Sequence, residues 1–217
     1  MRTLQALFVA CVLALVGTYV LVAQQGGSQM TFFITSTGMG DGGNLGGLAG
    51  ADKHCQTLAA AAGAGTRKWQ AYLSTQGPGA VNARDRIGKG PWTNAKGVVI
   101  AKSLDDLHGA SNNLTKETQL TEKGAVVNGR GDTPNTHDLM TGSNADGTAF
   151  PAGTDNTCSN WTSAAETNAG ARVGHHDRQG GGQDPMSWNS AHTTPGCSQA
   201  NLAKVGGAGL FYCFAAN

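Results

Sequence analysis

Near the end of the sequence lies the stretch Leu210-Phe211-Tyr212-Cys213-Phe214-Ala215, six residues without a charged side chain, preceded by Gly206-Gly207-Ala208-Gly209. A short segment that is apolar at every position, rather than at every second one, is typical of a strand buried on both faces. We therefore predict that these residues form a central strand.

The rest of the chain shows the patterns of short helices and strands. Apolar residues at helical spacing predict a first helix over residues 49–62, and a capping-box-like spacing predicts a short second helix over residues 104–108. Residues 108–157 are rich in Gly, Asn, Thr and Asp and are expected to form a long loop region. These patterns predict an α+β domain with two helices. Further strands are expected at residues 32–37, 69–74, 98–101, 158–163 and 171–174.

Chain length and charge limit the classes of protein to which this sequence can belong. The 217 residues suffice for one core. Charged residues make up 13% of the chain, against about 25% in typical domains. A net charge of +1 without a clustered basic patch gives no electrostatic basis for binding nucleic acid, so we expect no such partner.

The N-terminus carries an apolar segment from Leu4 to Ala23, preceded by the single positive charge of Arg2. Its 20 residues match the length of a membrane span, and the positive charge predicts a cytoplasmic N-terminus. A signal peptide cleaved after Ser28 is the alternative. Both interpretations export the rest of the chain, to the periplasm or the cell surface. We divide the chain into a signal peptide or anchor (1–23), a linker (24–30) and a domain (31–217).

Four of the five cysteines lie in this domain, namely Cys55, Cys158, Cys197 and Cys213. An even number of cysteines in an exported domain predicts two disulfides, and four cysteines allow three connectivities. No pair has the Cys-x-x-Cys spacing of a zinc or redox site, so these cysteines are expected to be structural.

Several motifs resemble the endostatin-like branch of the C-type-lectin-like fold, over most of residues 32–214. The chain is also similar to a bacterial family of exported, lectin-like proteins that open with Phe-Ile-Thr-Ser-Thr, here at residues 33–37, and Gly-Asn-Leu-Gly-Gly-Leu-Ala-Gly-Ala-Asp, here at residues 43–52. The other stretches that carry the resemblance are Lys68-Trp69-Gln70-Ala71-Tyr72-Leu73-Ser74, Gly142-Ser143, Asp146-Gly147, Cys158-Ser159-Asn160-Trp161-Thr162, and Cys197 with Leu210-Phe211-Tyr212-Cys213.

The resemblance implies a disulfide pairing and a ligand class. Disulfides of this fold nest, which implies the pairs Cys55–Cys213 and Cys158–Cys197. Relatives that bind sugars use a calcium ion held by a Trp-Asn-Asp strand and a neighbouring Pro-containing loop. This chain has Trp188-Asn189-Ser190, with serine in place of the carboxylate, and Gln183-Asp184-Pro185 in a different order. We therefore expect no cofactor, with calcium as the alternative that the resemblance leaves open.

Two polar clusters are the candidates for chemistry. Histidines and a carboxylate can bind a transition metal, and adjacent histidines on a strand point to opposite faces, so only one of such a pair easily joins Asp177. The alternatives are a hydrogen-bonded loop lattice and a surface on which a tryptophan stacks on a sugar ring. The metal candidates are His175, His176, Asp177 and His192, and the ligand-binding candidates are Asp177, Trp188, Asn189 and His192.

No catalytic motif stands out, because the chain has neither a Gly-x-Ser-x-Gly elbow nor a phosphate-binding loop. We expect a non-enzymatic extracytoplasmic binding module, with a glycan or a protein as partner. One alternative is an accessory subunit anchored in the membrane by Leu4 to Ala23. A metal-dependent enzyme that uses the residues from His175 to Asp177 is the other.

Overall fold

The computed structural model of the protein describes residues 29–216 as an α+β domain. Eight strands and four helices follow one another along the described chain. Their order is β1 (Phe32–Ile34), α1 (Gly47–Ala61), β2 (Trp69–Ala71), a 3₁₀ turn (Ala83–Asp85), β3 (Trp92–Thr93), β4 (Val99–Ala101), α2 (Leu104–His108), β5 (Asp138–Met140), α3 (Cys158–Trp161), β6 (Arg172–His175), β7 (His192–Thr193), α4 (Gln199–Val205) and β8 (Gly207–Ala215).

The longest strand, β8, is the centre of the main sheet, as the opening stretch predicts. It pairs antiparallel with β1 on one edge, and its other edge is shared by β2, which is antiparallel, and β5, which is parallel. The sheet continues from β5 to β6 and β7. Strands β3 and β4 form a separate two-stranded sheet.

Successive side chains of β8 enter two different hydrophobic cores. Phe211 and Cys213 pack in the core that contains α1, whereas Tyr212 and Phe214 pack on the other face with Trp92. Because strand residues alternate between faces, an apolar run on both parities requires cover on both sides of the sheet. Cover on both faces of the sheet explains why residues 210–215 of β8 are apolar at every position.

Two disulfides connect these elements, with the pairing that the resemblance implies. Cys55 of α1 is bonded to Cys213 of β8, and Cys158 is bonded to Cys197. Disulfides form and persist in oxidising compartments, which agrees with an extracytoplasmic location.

Both predicted helices are present, but the prediction of two helices was incomplete. Helix α1 begins two residues earlier than expected, and α2 has the expected bounds, with the Ser103 side chain accepting a hydrogen bond from Asp106 N at its N-terminus. Helix α4 was missed, although Ser198 caps its start and Gly206, with φ +103°, ends it.

The expected strand at residues 158–163 was wrong, because Cys158 to Trp161 form a single turn in which all four residues have positive φ. Non-glycine residues adopt this conformation only when their surroundings hold them there. The turn is held by the disulfide at Cys158 and by Asp155 Oδ2, which accepts a hydrogen bond of 2.7 Å from Ser159 N.

The apolar segment from Leu4 to Ala23, for which a signal peptide and a membrane anchor were both expected, lies outside the described residues, as does most of the expected linker. Within residues 29–216, no helix has the length and apolar character needed to cross a bilayer.

Replacing both Cys55 and Cys213 with alanine is expected to lower the free energy of unfolding by about 5 kcal/mol, and replacing Cys158 and Cys197 by about 4 kcal/mol. The reason is that the first bond closes a loop of 158 residues and the second a loop of 39, and longer loops restrict the unfolded chain more. Urea unfolding followed by tryptophan fluorescence measures both losses. A clearly larger loss for the shorter loop would contradict this explanation.

Candidate functional site

One cluster of histidines gathers around Asp138, where three neighbouring strands lie side by side. Asp138 of β5 and His175 of β6 are direct partners across the two strands. His192 of β7 pairs with Val173, two residues before His175, so its side chain lies on the same face of the sheet. His137 comes just before β5, and its ring stacks on that of His175 with centroids 4.3 Å apart.

All three imidazoles direct Nε2 at the same carboxylate. Nε2 of His137 lies 3.2 Å from Asp138 Oδ1, and Nε2 of His175 lies 3.3 Å from the same oxygen. Nε2 of His192 lies 3.3 Å from the other oxygen, Oδ2. The side chain of Asp138 is fully buried, and those of His137 and His175 are nearly so.

These contacts are longer than the 2.7–2.9 Å or so of a charge-assisted hydrogen bond. Neither carboxylate oxygen of Asp138 has a hydrogen-bond partner among the described residues, and the same holds for Nε2 of His175. Buried polar atoms are rarely left without a partner, and exceptions call for an explanation. The unpartnered atoms here face one another.

The hydrogen bonds of the Nδ1 atoms explain why Nε2 of these histidines has no proton to donate to Asp138. Nδ1 of His137 donates to Asp177 Oδ1 over 3.1 Å, and Nδ1 of His175 donates to the carbonyl oxygen of Pro185 over 2.9 Å, because neither oxygen can donate. A neutral imidazole that donates from Nδ1 carries its lone pair on Nε2. Lone pairs of two imidazoles therefore converge on a carboxylate, an arrangement that requires a cation between them.

A proton on an imidazole is one such cation, and the pKa values reflect it. Burial by itself lowers the pKa of His175, but the Asp138 carboxylate more than offsets this effect, and the pKa is raised. Burial acts to raise the pKa of Asp138, yet the imidazoles of His175 and His192 hold it below its ordinary value. The pKa of Asp177 is also strongly lowered, against the effect of burial, by its hydrogen bond from His137.

A metal ion is the other cation that fits. In a tetrahedral site with bonds of about 2.0–2.1 Å, neighbouring ligand atoms are about 3.3 Å apart, close to the separations at Oδ1. One ligand atom each from His137, Asp138 and His175 lies within 4.8 Å of the other two. Metal-bound histidines commonly donate their second ring nitrogen to a carboxylate or a backbone carbonyl, as Asp177 and Pro185 accept here.

The cluster is reached from solvent through a pocket of about 460 Å³. His192 lines this pocket with 20% of its side chain exposed, whereas the Asp138 carboxylate is fully buried against the imidazoles and does not itself line the pocket. Most proteins bind small ligands in pockets of about 300–1,000 Å³. The lining residues are Arg130, Asn135, His137, His175, Gly181, Gly182, His192 and Val205.

The glycine run at residues 180–182 lies against the imidazoles. A Cβ atom at Gly180 would stand 2.9 Å from Cε1 of His175 and 3.1 Å from Cε1 of His137, and the φ of Gly180 is +129°. A side chain is therefore excluded there by both space and backbone conformation. At Gly181, by contrast, an added Cβ meets no atom within 4 Å.

The four metal candidates from the sequence separate into three roles. His175 and His192 join the cluster. His176 lies on the opposite face, where its Nε2 donates to Asn128 O over 3.1 Å and burial lowers its pKa. Asp177 sits behind His137 and orients it.

The two remaining ligand-binding candidates do not form a surface. Trp188 is 3% exposed and packs against Tyr72 and Tyr212, with ring centroids about 5 Å apart. Asn189 is buried and donates to the hydroxyl of Tyr72. The alternative in which a sugar stacks on Trp188 does not fit this structure, because the residue packs in the second core with little exposure.

Sequence reasoning missed His137 and Asp138, which lie within the region expected to be a loop. The usable signal was the change from Asn135-Thr136 to His137-Asp138-Leu139-Met140, where polar loop residues give way to an apolar pair. A three-residue strand with a carboxylate at its first position has too weak a pattern to separate from its surroundings.

Comparison with known proteins does not supply a function for this site. The chain matches no model of a known protein family, and no curated protein matches its sequence. A function for the cluster has to be inferred from its geometry.

Gly180→Ala is expected to lower the free energy of unfolding by about 1–3 kcal/mol, because the added methyl group displaces the stacked imidazoles and strains the backbone. The matched variant Gly181→Ala should change it by less than about 0.5 kcal/mol. Urea unfolding gives these values, and NMR signals of the His137 and His175 rings should shift only in Gly180→Ala. Equal effects of the two variants would show that the glycine run does not pack on the imidazoles.

Proposed function

We propose that the protein is an exported, disulfide-stabilised binding module whose active feature is a transition-metal site formed by His137, Asp138 and His175. The observation that carries the proposal is that Nε2 of His137 and Nε2 of His175 lie 3.2 and 3.3 Å from Asp138 Oδ1, while this oxygen and Nε2 of His175 have no hydrogen-bond partner among the described residues. Neighbouring ligand atoms of a tetrahedral metal site are about as far apart. Imidazole nitrogen with carboxylate oxygen is a ligand set that suits Zn²⁺ and its neighbours in the first transition row.

The outer contacts of the site support this function. Asp177 Oδ1 holds the ring of His137, and its other oxygen accepts a hydrogen bond of 2.6 Å from Arg130 N. The carbonyl oxygen of Pro185 holds His175 in the same sense. Both rings are thus oriented before a metal arrives, so that binding requires little rearrangement.

A protonated cluster without a metal role accounts less well for the same atoms. Three imidazoles around one carboxylate can share protons, but this leaves both oxygens of Asp138 and Nε2 of His175 buried, facing one another and without hydrogen-bond partners among the described residues. A groove of similar size, about 450 Å³, lies along Ser36 and Val126, and the described residues that line it include no histidine, cysteine or carboxylate. The Asp138 cluster is therefore the better candidate for function.

A C-type-lectin-like fold remains part of the proposal. What supports it is the nested order of the disulfides and the pairing of the first and last strands of the described domain. Calcium is a poor fit to the Asp138 cluster, because this ion takes six to eight oxygen ligands and the cluster is mostly nitrogen.

The full-length chain, produced with its disulfides formed and stripped with a chelator, is expected to bind one Zn²⁺ per molecule in isothermal titration calorimetry. Saturating Zn²⁺ should also raise the unfolding temperature, because a ligand that binds only the folded state stabilises it. Absence of stoichiometric binding of Zn²⁺, Co²⁺ and Ni²⁺ to this protein would refute the proposed function.

Variants of the cluster test which residues hold the metal. Asp138→Asn and His175→Ala are expected to weaken Zn²⁺ binding by more than about 100-fold, since loss of an outer partner alone costs about 10- to 100-fold. His192→Ala should have a smaller effect, because His192 contacts only Oδ2. His54→Ala, on α1 and outside the pocket, is the matched control and should bind as the wild type does. Circular dichroism establishes that each variant is folded.

A further inference from the structure

The metal site has one side that its protein ligands leave open. His137 and His175 share the oxygen Oδ1 of Asp138, whereas His192 contacts Oδ2 and falls outside the group of three whose ligand atoms all lie within 4.8 Å of one another. A site with three protein ligands and a fourth position facing a pocket is the arrangement of metal centres that bind an external ligand, whereas structural sites are closed by four.

The charge of the pocket indicates what that ligand is. Among the described residues that line the pocket, Arg130 is the only lysine or arginine, and none is a carboxylate. A divalent ion on Asp138, taken together with Arg130 and with Asp177 behind His137, leaves one net positive charge at the end of a partly enclosed pocket. An anion is therefore attracted both to the ion and to the guanidinium.

The backbone of Arg130 is held by the same carboxylate that orients a metal ligand, while its side chain is exposed. Its backbone N–H donates to Asp177 Oδ2, while Asp177 Oδ1 accepts from His137. The turn at residues 129–132 is fixed as well. Asp132 Oδ2 accepts a hydrogen bond of 2.7 Å from Gly129 N and forms an ion pair with Lys116. The position of the Arg130 backbone relative to the metal ligands is thus determined by these hydrogen bonds.

Asp132 belongs to the tripeptide Arg130-Gly131-Asp132, which matches a known adhesion tripeptide. The Asp132 carboxylate is bound within its own loop, and Gly131, with φ +92°, forms the turn between the two charged residues. In this loop Arg130 is the charged side chain that lines the metal pocket.

The inference rests on the proposed metal site and adds the class of ligand. We infer that the bound metal keeps one coordination position for a small carboxylate ligand, which enters through the pocket, coordinates the ion with one oxygen and pairs with the guanidinium of Arg130. Guanidinium and carboxylate form strong paired hydrogen bonds, and Asn135 at the pocket wall offers a further amide donor.

The test uses the full-length protein loaded with Co²⁺, whose visible spectrum reports the ligands around the ion. Adding acetate is expected to change the spectrum with saturation, whereas acetamide, which has the same shape without the charge, should not. Arg130→Gln should weaken acetate binding by about tenfold while Co²⁺ affinity stays within about threefold. Arg67→Gln, which removes an equal charge outside the pocket, is the control and should match the wild type.

Three results would overturn the inference, and each points to a different error. If Co²⁺ binds but acetate leaves the spectrum unchanged, the position is closed, and a response that appears only in His192→Ala would identify His192 as the residue that closes it. If acetate binds equally well to Arg130→Gln, the guanidinium has no part in recognition. If Co²⁺ does not bind at all, the metal site itself is refuted, and the ligand with it.

Discussion

The domain depends on the burial of β8 on both faces. This strand contributes to two hydrophobic cores and pairs with β1, β2 and β5. Burying its aromatic and aliphatic side chains removes a large apolar area from water, at about 25 cal/mol for each Å². The Cys55–Cys213 disulfide then ties α1 to the middle of the same strand. The short strands β1, β2 and β5 and the helix α1 are thereby attached to one central strand.

The candidate site is positioned by this strand. The first residue of β5, Asp138, lies opposite Gly207 at the start of β8, and its backbone N–H donates to Gly206 O over 3.0 Å. The register of β5 with β6 then places His175 opposite Asp138, and the register of β6 with β7 adds His192. A shift of one residue in either register would turn one of these side chains to the other face of the sheet. The geometry of the cluster therefore follows from sheet pairing.

Burial of a carboxylate is costly unless a cation compensates for it. Around Asp138 the neighbouring groups are imidazoles, and they leave the carboxylate oxygens without hydrogen-bond partners among the described residues. Asp177 is treated differently, since its oxygens accept hydrogen bonds from His137, Arg130 N and Gln179 N. The carboxylate of Asp177 is thus satisfied by the protein, whereas that of Asp138 has no hydrogen-bond partner among the described residues.

Features that are local or compositional could be predicted from the amino-acid sequence alone. The apolar run at residues 210–215 indicated a central strand, the spacing of apolar residues indicated α1, and Ser103 with Asp106 indicated α2. The resemblance supplied the disulfide pairing. The sequence also singled out His175 and His192, because histidines near a carboxylate are chemically conspicuous.

Which of these residues belong together, however, depended on how the strands pair. His137 and Asp138 lie far from His175 along the chain, and no periodic pattern relates positions that meet across a sheet. Trp188 was an equally conspicuous candidate, yet its ring fills a core between two tyrosines. Residue type reveals what a side chain can do, but burial and register decide whether it is free to do it, and both arise from contacts between distant parts of the chain.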